Sequence, residues 1–291
     1  MSEHGETDGT DGRVTNAAAD GDENAADRDT NGADHGDENA AADGDAVAIR
    51  RPPTVLVPVR VLEGQTLSAS LVEFLAPARV VVLGYHVLPE QTSTEQAGLQ
   101  FEERARTAVD DVAAVFAEAE HETDAGGSVE TRVVFTHDRD QTIERVAAEV
   151  EATAVLLPNP AGEIDDVLVA LRGAVDTRRL ADLVATLAHE GIDVTLLGYE
   201  SESFDAASEV DRARRRLLDR GVSATRLAIE TGTSEAPVRD IVERSAEFDA
   251  IVVGEGGRTL FSQIVGDDAD RVAAGAVAPV LVVRNPPVDE A

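Results

Sequence analysis

The sequence TVLVPVR, residues 54–60, is a short, almost continuous apolar run that is rich in β-branched residues. A similar run, VLVALRG, follows at residues 167–173. Runs of this length and composition are typical of strands buried on both faces, as in a parallel sheet. Each run is followed by a helical pattern and then by a second apolar strand, RVVVLGYHV at 79–87 and DVTLLGY at 193–199. Alternating strands and helices predict an α/β fold.

The ordered chain repeats itself after about a hundred residues, which indicates two units of the same kind. Three further pairs of segments carry the repeat: LGY at 83–85 and 197–199, TRVVF at 131–135 and TRLAI at 225–229, and AVLLP at 154–158 and AIVVG at 250–254. We predict two open, mostly parallel twisted sheets, packed as a tandem pseudo-dimer. Repeat 1 covers 51–160 and repeat 2 covers 161–291. Only repeat 2 continues into a fifth strand, APVLVVR at 278–284.

Residues 1–50 differ from the rest of the chain in composition. They consist largely of Asp, Gly, Ala, Asn and Glu, and GDENAA occurs twice, at 21–26 and 36–41. Such a segment cannot bury enough apolar surface to offset the entropy of ordering it. We therefore predict a disordered acidic tail, which serves either to keep the protein soluble or to contact a partner.

The formal net charge is −32, and all 25 basic residues are arginines. Fourteen of the 57 acids lie in the tail with three arginines, so the remainder also carries a large excess, 43 acids against 22 arginines. This composition suggests a halophilic protein, because the Debye length falls to about 3 Å in molar salt and the repulsion is screened there. In dilute buffer the same repulsion should destabilise the fold.

The composition also argues against several classes of partner and compartment. Nucleic-acid binding needs a basic surface, and the short basic run at 212–216 alternates with acids. The absence of cysteine excludes disulfides. No apolar run approaches the ~18 residues that span a bilayer, and the first residues have no secretory signal pattern. We expect a cytoplasmic protein without membrane insertion.

The segment VVGEGGRTLFSQIVGDD, residues 252–268, resembles a loop that lets backbone N–H groups approach a phosphate. The predicted cofactor-binding residues are therefore Gly254, Gly256, Gly257, Arg258, Gly266 and Asp267. Asp267 opposes this interpretation, because it places a negative charge where a phosphate would bind a helix start. Asp267 fits better as the N-cap of a helix predicted at about 268–276, whereas the glycines fit a tight turn as well as they fit a phosphate loop.

With this segment the chain resembles the universal stress protein family, in tandem form. The resemblance implies a five-stranded, adenine-nucleotide α-hydrolase-like α/β domain in each repeat. In members that bind ATP, a Gly-x-x-Gly loop wraps the phosphates, and an Asp after the first strand meets the adenine side. Gly254 and Gly257 match this loop and Gly266 matches its later glycine, but the intervening spacer has eight residues rather than nine.

Other family positions depart from the pattern. Asp267 stands where the family has Ser or Thr after the later glycine. Arg60 and Arg172 stand near the positions of the first-strand acid in the two repeats. We predict that Arg172 either receives an anion or pairs with Asp176. In repeat 1, Pro158 replaces the first loop glycine, and the loop is essentially missing.

The resemblance implies a non-enzymatic stress-response or regulatory protein that acts through a protein partner or as a homo-oligomer. ATP or AMP is the cofactor it suggests, bound weakly in repeat 2. An alternative is a ligand-free interaction module that regulates a transporter or another partner. An enzyme that uses adenine nucleotides is a third hypothesis, for which the six histidines show no metal-ligand spacing. Asp138 and Asp140 suggest a Mg²⁺ site, but Asp140 also fits a helix N-cap, so no metal site is predicted.

Overall fold

The two apolar runs form the first strand of each repeat, β1 (Thr54–Arg60) and β5 (Asp166–Leu171). Both are buried along almost their whole length, because they have a neighbouring strand on each side and helices on both faces. The structure is a computed structural model, and it describes residues 52–123, 127–171, 176–188, 191–254 and 278–285. The predicted tail at 1–50 lies outside these residues.

The remaining elements follow the predicted alternation. In repeat 1 they are α1 (Ala69–Leu75), β2 (Arg79–Val87), α2 (Thr94–Thr123), β3 (Ser128–Thr136), α3 (Arg139–Glu149) and β4 (Ala154–Leu157). In repeat 2 they are α4 (Thr177–Leu187), β6 (Asp193–Glu200), α5 (Ala206–Asp219), β7 (Leu227–Thr233), α6 (Pro237–Arg244), β8 (Ala250–Gly254) and β9 (Val280–Val283).

Two local predictions need correction. The cap of α3 is Asp138 and not Asp140: the Asp138 side chain accepts a hydrogen bond from the Gln141 N–H, while Asp140 pairs with Arg139. The third strand of repeat 2 begins at Leu227, because a 3₁₀ turn over Ala224–Arg226 occupies the start of the TRLAI segment.

The mostly parallel α/β architecture is confirmed, but the two predicted sheets are joined into one. The described strands form a single sheet in the order β3-β2-β1-β4-β9-β8-β5-β6-β7. The joint is β9, which is parallel to β8 and antiparallel to β4. The strands of the two repeats therefore run in opposite directions, and their carboxyl ends lie on opposite edges of the sheet.

Helices cover both faces of this sheet. On one face α1, α2, α4 and α5 pack over a core that spans both repeats; on the other face α3 and α6 cover a second core. The glycine of the repeated LGY segment allows α2 and α5 to pack closely against the sheet. A Cβ on Gly84 would overlap with Val109 of α2, and a Cβ on Gly198 would lie 2.8 Å from Val210 Cγ2 of α5. Within the described ranges, no helix combines the length and apolar character that a membrane span requires.

Candidate functional site

The carboxyl ends of the repeat 2 strands form the edge where open α/β sheets bind ligands. Gly254 ends β8 there, is buried, and pairs with Val283 of β9. On its other side β8 pairs with β5, and β6 lies beyond β5. The chain reverses its direction of crossing between β5 and β8, so Gly254 ends β8 at the topological switch point. This is the position from which a loop can reach a ligand above the sheet.

The structure places only part of the predicted site. Gly254 is described; Arg172, Gly256, Gly257, Arg258, Gly266 and Asp267 lie outside the described residues, as does the helix predicted at about 268–276. Asp176, the alternative partner predicted for Arg172, caps α4. Its Oδ1 accepts hydrogen bonds from the backbone N–H groups of Arg178 at 3.0 Å and Arg179 at 3.1 Å.

Residues of both repeats meet beside this edge. Nη2 of Arg179, in the first turn of α4, donates a hydrogen bond to the Ala152 carbonyl at 2.7 Å. The backbone N–H of Arg284, directly after β9, donates to the next carbonyl, that of Thr153, at 2.9 Å. Asn285 Oδ1 accepts from the Asp176 N–H at 3.1 Å. The end of β9, the start of α4 and the residues before β4 are therefore held together.

Arg179 and Arg284 are the site residues that the sequence analysis missed. Arg179 is half-buried, and no acceptor for its buried Nε is found among the residues that the structure describes. Burial lowers the pKa of Arg179 and nearby Arg284 adds to this, whereas Asp176 opposes it. Neither arginine belongs to a motif, and they are far apart in the chain. The only signals in the sequence are an arginine that follows the last strand and another in the first turn of a helix.

At the carboxyl ends of the repeat 1 strands, the side chain of Arg60 is held by hydrogen bonds. Arg60 Nε donates a hydrogen bond to the Tyr85 hydroxyl at 3.1 Å, and its Nη1 lies 3.3 Å from Glu63 Oε2. Its backbone N–H donates to Gln65 Oε1 at 3.0 Å. The hydrogen bond to Tyr85 is the main cause of the raised pKa of Arg60. A fixed cation thus stands near the position where the family resemblance expects an acid.

A mostly apolar groove of about 360 Å³ also opens in repeat 1. It lies between the end of β1, the following loop and α2, and its walls include Val59, Val61 and Val112. Its size suits a small apolar group, but none of the predicted site residues lines it. Among the residues that the structure describes, no group of three or more His, Cys, Asp or Glu side chains is placed to hold a metal ion.

Comparison with known proteins gives a consistent result. The model of the universal stress protein family matches residues 163–284. Universal stress proteins from two strains of Mycobacterium tuberculosis are each 28% identical over 163 residues, 53% of this chain and 51% of theirs. The chain thus spans about half the length of the curated relatives it matches.

A solved structure supports the same assignment at the level of the fold. The crystal structure of a universal stress protein from Archaeoglobus fulgidus aligns with a TM-score of 0.51 and 13% identity, and the alignment covers 81% of this chain and 98% of that chain. The likeness therefore extends over both repeats, including repeat 1, which the family model does not match. Residues 163–284, which make up most of repeat 2, therefore match the universal stress protein family, and the fold of the chain is similar to that of a solved member of this family.

Proposed function

We propose that this chain is a non-enzymatic, cytoplasmic regulatory protein of the stress response that acts through protein contacts and binds an adenine nucleotide weakly in repeat 2. The observation that carries the nucleotide site is the position of Gly254. It ends β8 at the switch point between β5 and β8, inside the segment that matches the family. A glycine there allows backbone N–H groups to come close to a phosphate.

The proposed site exists once in each chain. In repeat 1 the position near the expected acid holds Arg60, which is bonded to Tyr85 and Glu63. The residue after β4 is Pro158, which has no N–H to donate to a phosphate. Repeat 1 therefore serves as the structural partner of repeat 2, and a stoichiometry of one nucleotide per chain is expected.

The non-enzymatic part of the proposal rests on the residues available at the two edges. Among the described residues at the repeat 2 edge, Arg179, Arg284 and Asn285 can bind an anion but cannot act as a general base at neutral pH. The carboxylate of Asp176 at this edge already accepts hydrogen bonds from two backbone N–H groups of α4. At the repeat 1 edge, the Tyr85 hydroxyl already accepts a hydrogen bond from Arg60. Binding without turnover is the role that these residue types fit best.

Isothermal titration calorimetry of the full chain in molar KCl with Mg²⁺ tests this function. We expect weak binding of ATP, ADP or AMP with one site per chain and no hydrolysis of ATP over hours. The Gly254→Val variant should lose the binding, because a branched side chain blocks backbone approach at the end of β8.

The matched control is Gly162→Ala in the connector between the repeats, where an added Cβ has nothing within 4 Å. It should bind as the unchanged protein does. Two sites per chain would refute the predicted stoichiometry. Equal binding by Gly254→Val and Gly162→Ala would refute the location of the site, and steady release of phosphate from ATP would refute the non-enzymatic role. Circular dichroism of both variants checks that the fold is kept.

A further inference from the structure

We propose that Arg179 and Arg284 form an oxyanion site that binds a phosphate group where the carboxyl edge of repeat 2 meets repeat 1. The phosphate group could belong to a nucleotide or to a free phosphate or pyrophosphate, and the chemistry of recognition is the same. The proposal does not depend on the glycine-rich segment or on a nucleotide being the ligand.

The first step of the argument is proximity. Arg179 Nη2 and the Arg284 backbone N–H bond to the carbonyls of Ala152 and Thr153, which are consecutive residues. Consecutive Cα atoms are about 3.8 Å apart, so both arginines are anchored to neighbouring residues of repeat 1, and Arg284 is close enough to Arg179 to lower its pKa. The anchor of Arg284 is its backbone, so its guanidinium is not used in this contact.

The second step is the missing counter-charge. Among the described residues, neither Arg179 nor Arg284 has a carboxylate oxygen within 4.0 Å of a guanidinium nitrogen. Arg244 is the instructive contrast. Its Nε also lacks a hydrogen-bond acceptor, but Glu230 at 3.1 Å and Glu247 at 3.3 Å neutralise its charge. In a chain with 57 acids and 25 arginines, two neighbouring arginines that lack a carboxylate partner within the described part of the chain place positive charge on an otherwise acidic protein.

The third step is the energetic cost of this arrangement without a ligand. A half-buried guanidinium without a paired carboxylate in the described ranges is destabilised by lost hydration and by a like charge nearby. Arg179 experiences both effects, since burial and Arg284 each lower its pKa. A bound anion would relieve both, because it accepts hydrogen bonds and neutralises two cations at once.

The fourth step is the choice of anion. A guanidinium presents a planar fork of donors that matches the oxygens of a phosphate group, and two forks favour a dianion over a monovalent ion. The start of α4 does not contribute, because Asp176 already accepts from the Arg178 and Arg179 N–H groups. Asp176 and, to a smaller extent, Glu151 are the negative charges that act on Arg179, and they weaken anion binding without filling the site.

The test uses the full chain at constant ionic strength in molar KCl, with pyrophosphate and ATP as separate ligands. The informative variant is Arg284→Gln, since it removes a guanidinium while its backbone bond to Thr153 remains. Arg179→Gln is a second variant that also loses the bond to Ala152. The control is Arg104→Gln, which removes an equal charge from an exposed position on α2 that forms no ion pair with another described residue.

We expect Arg284→Gln to weaken pyrophosphate binding about tenfold, the lower end for a charged hydrogen bond under screening, and Arg104→Gln to leave it unchanged. If the unchanged protein binds ATP but not pyrophosphate, and Arg284→Gln weakens the ATP binding, the site is supported and its phosphate group belongs to a nucleotide. Retained pyrophosphate binding in Gly254→Val supports a site independent of the proposed nucleotide loop. The proposal is overturned if Arg284→Gln and Arg104→Gln bind each ligand with equal affinity. It is also overturned if the unchanged protein binds neither ligand.

Discussion

Ala154, at the start of β4 in repeat 1, lies opposite Val283, at the end of β9 in repeat 2, in an antiparallel pair. Val283 also pairs with Gly254 of β8 on its other side. One strand therefore completes both halves of the sheet. In the family, a fifth strand helps to pair domains; here the short connector NPAGEID, residues 159–165, contributes no such strand to repeat 1.

The shared strand predicts how repeat 2 behaves alone. If residues 161–291 are expressed separately, the edge of β9 that now bonds to β4 becomes unpaired, and such edges associate readily. We expect this half to form a dimer through β9, whereas the full chain has that edge filled. Sedimentation velocity in molar KCl measures the outcome. A stable monomer of the half at the same concentration would count against the prediction.

The close approach of α2 to β2 predicts a steric effect at Gly84. In the Gly84→Ala variant the new methyl group overlaps with Val109 and lies 2.6 Å from Val61 Cγ1. Overpacking of this kind costs about 1–3 kcal/mol, measurable as a lower free energy of unfolding. Gly232→Ala is the control, because its Cβ would only touch the Tyr199 ring at 3.7 Å. Equal losses in the two variants would show that steric overlap is not the cause.

The acidic composition predicts dependence on salt. Outside the tail, 43 acids face 22 arginines and no lysine, so lowering the ionic strength exposes their mutual repulsion. We expect the melting temperature to fall, and cooperative unfolding to occur, as KCl is lowered from molar to millimolar. Circular dichroism follows both. An unchanged melting temperature over this range refutes the prediction.

Repulsion between acids should also destabilise the fold locally, around Asp166. Burial, followed by the charges of Asp249, Asp193 and Asp165, raises its pKa above the usual 3.8. The folded state therefore binds this proton more tightly than the unfolded state, so the contribution of Asp166 to stability is greatest below pH ~4 and is lost as pH rises through the raised pKa. Asp166→Asn should raise the melting temperature at neutral pH in low salt, and the gain should fade in molar KCl.

Asp219→Asn is the control for this prediction. It removes one charge from an exposed acid at the end of α5. The gain from Asp166→Asn should exceed the gain from Asp219→Asn, since only Asp166 lies among three other carboxylates. Equal gains would mean that net charge, rather than the local cluster, sets the stability.

Asp267 predicts a gain of nucleotide binding. It lies outside the described residues, but the sequence places it one residue after Gly266, where it would face a phosphate. Asp267→Ser removes a charge worth ~0.3–1 kcal/mol at an exposed helix start and up to ~2 kcal/mol when partly buried. Calorimetry should show an affinity for ATP that is a few-fold to about thirtyfold higher, with the lower end expected in molar salt.

The control for Asp267→Ser is Gly254→Val in the same background, which should abolish the gain by blocking backbone approach. If Asp267→Ser leaves nucleotide binding undetectable, the charge was not the main defect. The eight-residue spacer or the missing acid near Arg172 then becomes the cause, and repeat 2 is a structural domain.

Local sequence was sufficient for the elements themselves. The runs at 54–60 and 167–173 specify buried strands because continuous apolar, β-branched residues fit a sheet covered on both faces. The glycines of the two LGY segments mark where a helix crosses a strand closely, as Gly84 and Gly198 do. The internal repeat and the family resemblance then predicted a mostly parallel sheet in each half, and the position of Gly254 at the end of β8 agrees with both.

Contacts between distant segments could not be obtained in this way. The sequence predicted two sheets, because nothing near β4 or β9 in the chain shows that Ala154 pairs with Val283. The adjacency of Arg179 and Arg284 depends on that same pairing, which brings Arg284 to Thr153 and leaves Arg179 bonded to Ala152. Composition and periodicity encode which face of an element is buried. The edge that a strand offers to another strand is made of backbone groups that every residue shares, so only the tertiary structure decided which edges meet.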